Sequence, residues 1–107
     1  MSIRTGFGLI NYPFEDGFGF FRWVEMLERC GVDSVWQSDR LISTDNYLES
    51  LSALASLAGC TERIKFGMNA IVAPLRDPLV LAKQCATIDF LSNGRLLPMF
   101  GVGYPKA

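Results

Sequence analysis

The chain has no histidine. That absence removes Ser-His-Asp and Cys-His catalysis, and most zinc chemistry, from what these residues can do by themselves. Cysteine is scarce. Cys30, Cys60 and Cys85 make an odd count with no C-x-x-C spacing, which argues against a disulfide framework or a zinc site. The expected role of the three is that of small buried hydrophobes in a reducing cytoplasm. Net charge is nearly absent, at -1 over 107 residues, so there is no electrostatic footprint for nucleic acid or an anionic membrane. No apolar run reaches the roughly 18 residues that a membrane span needs. The N-terminus lacks the basic segment and long apolar core of a signal peptide. Linkers, low-complexity runs and charge blocks are missing too. With 50% hydrophobic and 20% charged residues, the composition is that of one globular domain with a real core.

What is present is an alternation of strand-like and helix-like segments. Thr5 to Ile10 is a short apolar run bounded by the turn-prone Asn11, Pro13 and Gly17, and reads as a strand. Phe18 to Cys30 carries Phe20, Phe21, Val24, Met26 and Leu27 as a wide apolar stripe, which predicts a helix closed by Gly31. Val32 to Gln37 is the second strand, and Ser38 to Asn46 is a polar loop. Tyr47 to Ala58, rich in Leu and Ala, is the second helix, ended by Gly59 and the Thr61-Glu62-Arg63 turn. Ile64 to Val72 is the third strand, with Gly67 and Asn69 as irregular positions. Pro74 to Asp77 is a loop. Asp77 caps a third helix whose first turn holds Pro78 and which runs to about Leu91. Ser92 to Gly94 is a turn, and Arg95 to Phe100 is the fourth strand.

Strands and helices alternating at this spacing mean parallel strands joined by crossover helices. Two architectures fit, an open doubly wound sheet and a piece of an eight-stranded barrel of about 250 residues. In both, ligands bind at the carboxyl ends of the strands. The loops to inspect are therefore Asn11–Gly17, Ser38–Asn46, Ala73–Asp77 and the segment after Gly101.

Three features on those ends carry chemistry. Asp39 can accept from a ring N–H or a ribityl hydroxyl, and Arg40 can donate to a carbonyl, a phosphate or a developing anion. The competing reading is a solvated loop, or a surface pair of little energy between the two. Gly67, Asn69 and Ala70 interrupt an otherwise good strand. They predict a bulge or a close backbone approach, against simple packing at a barrel corner. Gly101-Val102-Gly103 is a weak dinucleotide signal, because Lys106 stands where the third glycine belongs. Its better reading is a bare backbone that lets a flat ligand lie close. The aromatics Phe18, Phe20, Phe21 and Trp23 fit one face of an amphipathic helix better than a cofactor stack. Glu25, Glu28, Glu49 and Glu62 fall on helices or on the opposite face and receive no catalytic role.

Four segments, GVDSVWQSDR at 31–40, LSALASLAGCTERIKFG at 51–67, PLRDPLVLAKQCATIDFLSNGR at 74–95 and FGVG at 100–103, together resemble the N-terminal part of the luciferase-like monooxygenase family. That family includes bacterial luciferase and the deazaflavin-dependent reductases. The resemblance implies a parallel (β/α)₈ TIM-type barrel, of which residues 1–107 would be the N-terminal half, with the first four strands and three helices. It implies FMN or a deazaflavin coenzyme across the carboxyl mouth, and hydride transfer to, or oxygenation of, a small organic substrate. It places a non-prolyl cis peptide at Asn69-Ala70 under the coenzyme ring, puts Asp39 near that ring, and gives Gly101 and Gly103 the task of leaving it room. Arg40 stands where the family often has histidine. A guanidinium cannot shuttle protons near neutral pH, but it can stabilise an anionic reduced ring.

The length implies that the second half of the barrel, which holds much of the cofactor phosphate, is missing. The chain is therefore expected to be inactive alone. With two open sheet edges it is also expected to associate, as a homodimer or with a partner chain. The alternative reading is a non-enzymatic half-barrel that works by pairing those edges. A third, an open-sheet nucleotide-binding domain, needs a phosphate loop after the first strand, and Asn11-Tyr12-Pro13-Phe14 is too poor in glycine to supply one.

Overall fold

A computed structural model describes residues 3–9 and 13–103. Ile10, Asn11 and Tyr12, expected at the end of the first strand and in the loop after it, lie outside the described residues. The elements are β1 (Gly6–Leu9), α1 (Gly17–Arg29), β2 (Ser34–Gln37), α2 (Ser50–Cys60), β3 (Lys65–Met68), β4 (Ile71–Val72), α3 (Pro78–Leu91) and β5 (Phe100–Gly101). A single 3-10 turn, Ala73–Leu75, follows β4. All strand pairs are parallel, in the order β1-β2-β3 and β4-β5, as alternation with helices requires.

The expected third strand is not continuous. It stops at Met68 and resumes at Ile71, and the Asn69–Ala70 peptide between them is cis. The expected fourth strand follows the same division. Leu96 bridges to Phe66 beside β3, and Phe100 and Gly101 pair with Ile71 and Val72 of β4.

Register explains the core. Val35 lies opposite Phe66 and Gln37 opposite Met68. Val35, Phe66 and Met68 are buried in one cluster with Phe20, Val24 and Leu27 of α1 and Leu51, Leu54 and Leu57 of α2. The α1 contributions recur at intervals of four and three residues, which keeps them on one helix face. Asp16 caps α1 by accepting from the Gly19 N–H at 2.9 Å, and Gly31, at φ 86°, follows its end as expected. The residues of β2 and β3 that alternate with this set meet differently. The Trp36 indole packs so tightly over Gly67 that a Cβ there would stand 2.9 Å from its ring. Gly67 is thus a site of close approach, the functional counterpart of its irregular look in sequence being steric.

Several boundaries differ from expectation. Tyr47 and Leu48 precede α2 because Glu49 caps it, its carboxylate accepting from Leu51 N and Ser52 N. Gly59 lies inside α2 rather than ending it. α3 matches, with Asp77 accepting from Leu79 N and Val80 N and Pro78 in the first turn. The cysteines are not all buried. Cys30 and Cys60 are exposed at the ends of α1 and α2, and Cys85 is half-buried. Each helix end projects its last residues beyond the core, which overrides the preference of the thiol for the interior. Partial burial pushes the Cys60 and Cys85 thiols up, away from the thiolate form that reacts.

The amino end of the sheet is tied by two arginines. Arg63 donates to the carbonyls of Leu27, Glu28 and Val32, while the Glu28 carboxylate accepts from the backbone of Glu62, Arg63 and Ile64. Arg95 is buried, and its guanidinium donates to the carbonyls of Ser92, Ile64 and Thr61 at 2.7–2.8 Å and to the Thr61 hydroxyl. One side chain thereby satisfies the orphan carbonyls at the ends of α2 and α3. Replacing Arg95 with Met leaves those carbonyls buried without donors. Urea unfolding should show a loss on the order of 3 kcal/mol, and a loss under about 1 kcal/mol would contradict this role.

Candidate functional site

The carboxyl ends of β2, β3 and β5 meet around a cleft of about 230 Å³. Ser38, Asp39 and Arg40 form one side, Asn69, Ala70 and Val72 the floor, and Gly101, Val102 and Gly103 the other side. Every residue singled out from the sequence as a binding candidate, Asp39, Asn69, Ala70, Gly101 and Gly103, lies on this one cleft, together with Arg40. Parallel strands bring them together, since residues leaving successive strands emerge at the same sheet edge.

The two glycines keep the cleft open. A Cβ on Gly101 would stand 3.3 Å from the Ala70 Cβ, and one on Gly103 would stand 3.1 Å from Val72 Cγ1. Gly103 also has φ 92°, a conformation that side chains resist. Arg40 is exposed, and its guanidinium carbon sits 5.7 Å from the Tyr47 ring centroid, a cation–π contact that holds the head near the cleft.

Asp39 does not pair with Arg40 as the surface reading had it. Its partner is Arg76, whose guanidinium donates to Oδ2 at 2.6 Å and to Oδ1 at 3.1 Å. The Val72 N–H donates to Oδ2 at 2.8 Å. The Asp39 side chain is 1% exposed and that of Arg76 10%. Arg76 also reaches the Glu49 carboxylate at 3.2 Å and the Val72 carbonyl. Burial alone would raise the Asp39 pKa. The Arg76 hydrogen bonds and the Val72 N–H outweigh it and hold the carboxyl below its ordinary value of 3.8. For Arg76, burial opposes the charge, and Asp39 and Glu49 overcome it. Glu49 follows the same pattern, its burial outweighed by Ser52, Leu51 and Arg76.

The sequence alone does not single out Arg76, and it places Glu49 among the helix acids with no catalytic role. The available signal was chemical. A carboxylate leaving a strand into a covered loop needs a cation, and Ala73–Asp77 was the loop close enough to supply one. Among the described residues, no group of three or more His, Cys, Asp or Glu could hold a metal ion. No helix among them is long and apolar enough to cross a membrane.

A parallel sheet with crossover helices and a cleft at its carboxyl edge defines the class, a parallel α/β fold. The chain belongs to the luciferase-like monooxygenase family, whose model matches residues 19–107. It is 33% identical over 85 residues to an F420-dependent glucose-6-phosphate dehydrogenase of Amycolatopsis mediterranei, covering 75% of this chain and 25% of that one. It is 31% identical over 83 residues to the oxygenase component of a flavin-dependent trigonelline monooxygenase of Acinetobacter baylyi, covering 67% and 22%. Among solved structures, the F420-dependent tetrahydromethanopterin reductase of Methanopyrus kandleri superposes with TM-score 0.79 at 24% identity, covering 99% of this chain and 29% of that one. The oxygenating constituent of 3,6-diketocamphane monooxygenase of Pseudomonas putida, solved in complex with FMN, gives TM-score 0.80 at 23% identity, covering 98% and 31%. These likenesses establish the fold, and the chain spans about a quarter of the length of the curated relatives it matches.

The pH dependence of the Asp39–Arg76 pair follows from the lowered carboxyl. Its contribution is complete above the unfolded pKa of about 4 and is lost as pH falls through the lower folded value. Measured by urea unfolding, Asp39→Asn should be less stable than the wild type at pH 7, and the gap should close progressively below about pH 4. A gap that stays constant down to pH 2 would contradict the pairing.

Proposed function

We propose that these residues form one wall of a flavin or deazaflavin site in a (β/α)₈ oxidoreductase, with this chain as the first half of the barrel. The observation that carries the reading is the side of the cleft formed by Gly101 and Gly103, where a Cβ on either would crowd the floor at Ala70 or Val72. A flat ring needs such a surface, because only bare backbone allows an approach at van der Waals distance along its whole face. The cleft volume of about 230 Å³ is below the roughly 300–1,000 Å³ of a complete small-molecule pocket. These residues therefore fit one face of a ring, and the rest of the barrel would supply the remainder. The relatives support both coenzyme types, F420 in the dehydrogenase and flavin in the trigonelline enzyme.

When bound, the coenzyme supplies hydride transfer or oxygen activation toward a small organic substrate. The protein's part is positional and electrostatic. Ala70, Gly101 and Gly103 would hold the ring, and Asn69 shapes the backbone of the floor. Arg40, held near Tyr47, would donate to negative charge at the cleft rim. With no histidine in the chain, proton transfer at this wall falls to water or to groups outside it. The 107-residue chain alone is proposed to be catalytically inactive.

Titration with FMN and with F420, followed by quenching of ligand fluorescence, tests the reading. At least one should bind saturably, and Gly101→Val should weaken it at least roughly tenfold by filling the cleft. Binding of neither, or binding unaffected by Gly101→Val, would contradict the proposal.

A further inference from the structure

Asp39 lies at the site, yet its carboxylate is closed to a ligand. A group that contacts a bound molecule must be accessible before the molecule arrives, and this side chain is 1% exposed. Both of its oxygens are already engaged, Oδ1 by Arg76 and Oδ2 by Arg76 and the Val72 N–H. The same guanidinium holds Glu49, the cap of α2, and the Val72 carbonyl. The Asn69 N–H donates to the Gln37 carbonyl at 2.8 Å, so β2 and the floor are tied on both sides of the Asn69–Ala70 peptide.

Val72 is where this matters for the cleft. Its Cγ1 already stands 3.1 Å from the space a Cβ on Gly103 would fill. A few tenths of an ångström of movement in Val72 therefore changes the width available between the floor and the Gly101–Gly103 side. Val72 has both backbone groups bound to the pair, its N–H by Asp39 and its C=O by Arg76.

We infer that Arg76 is the positioning residue of this site, acting through the Asp39 carboxylate and Val72 to set the width of the cleft, and that Asp39 serves the ligand only through this clamp. As a statement about ligand binding it rests on the flavin or deazaflavin reading. As a statement about Val72 it does not.

The experiment is a double-mutant cycle of Asp39→Asn and Arg76→Met in the full chain, with two readouts. In ligand-free protein, amide hydrogen exchange at Val72 should accelerate by roughly tenfold in either single variant, as expected for loss of one charge-assisted hydrogen bond. The double variant should add nothing further. The Ile71 N–H, which donates to the Met99 carbonyl, is the internal control and should keep its protection. In the second readout, FMN and F420 dissociation constants from fluorescence quenching should rise by a common factor in both singles and the double, the non-additivity expected of one coupled unit. Wild-type Val72 exchange in either single variant overturns the inference. So does a much larger binding loss for Asp39→Asn than for Arg76→Met, the result of direct contact between Asp39 and ligand. If Arg76→Met does not fold, Arg76→Lys replaces it. A point charge cannot span both carboxylate oxygens, so Val72 should remain fast-exchanging, and wild-type protection there overturns the inference. If wild-type protein binds neither coenzyme, the functional reading fails while Val72 exchange still decides the clamp.

Discussion

A carboxylate taken out of water must find a cation, and at the carboxyl edge of this sheet Asp39 finds Arg76, 37 residues along the chain. The geometry of the cleft depends on that pair. It joins the end of β2 to the segment after β4 and, through Glu49, to the start of α2. Removing one partner of a buried pair leaves the other charge stranded, at a general cost of about 3–5 kcal/mol. Such a pair therefore constrains position more than it adds net stability. Here it constrains the one stretch of backbone that lies between the cleft and the 3-10 turn leading into α3.

The two ends of the sheet solve different problems with the same residue type. At the amino end, Arg63 and Arg95 donate to carbonyl groups that helices leave unsatisfied at their C-termini, and also to the Val32 and Ile64 carbonyls just before β2 and β3. Those bonds lie at the strand starts, away from the cleft of Ser38–Arg40, Asn69–Val72 and Gly101–Gly103. At the carboxyl end, Arg76 meets ionised partners, and Arg40 stays exposed beside Tyr47. Parallel strands make this division natural, because all strand starts share one edge and all strand ends the other. The arginine ties and the cleft thus occupy opposite edges of one sheet.

How much of this was legible in the sequence depended on the range of the interaction. Local signals read true at three places and failed at Gly59, which lies inside α2. The Asp77-Pro78 cap fixed α3, Gly31 marked the end of α1, and alternation of segments gave parallel order. Asp39, Asn69, Ala70, Gly101 and Gly103 could be placed on one cleft because the edge rule needs only strand order. The residues alone mark an irregularity at Asn69 and Ala70, and the family resemblance supplied its form, the cis Asn69–Ala70 peptide that divides the strand. What stayed hidden were partnerships across the fold. Nothing in Asp39-Arg40 says that the acid turns away from its neighbour toward Arg76. Nothing in the run after Gly94 says that Arg95 will lie buried among carbonyls. Glu49 looked like one more helix acid because capping and ion pairing at an element's first residue depend on where the previous loop ends. Residue-type preference puts the cysteines in the interior, and the helix-end places of Cys30 and Cys60 override it.

The central claim is that the cleft bounded by Ser38–Arg40, Asn69–Val72 and Gly101–Gly103 bears the face of a flavin or deazaflavin ring. Backbone amide shifts in isotope-labelled protein, followed while FMN and then F420 is added, test it most directly. The account predicts the largest changes at Arg40, Ala70, Gly101 and Gly103, with Arg63 and Arg95 at the opposite edge unmoved. Changes centred away from these residues, or none with either coenzyme, would contradict it.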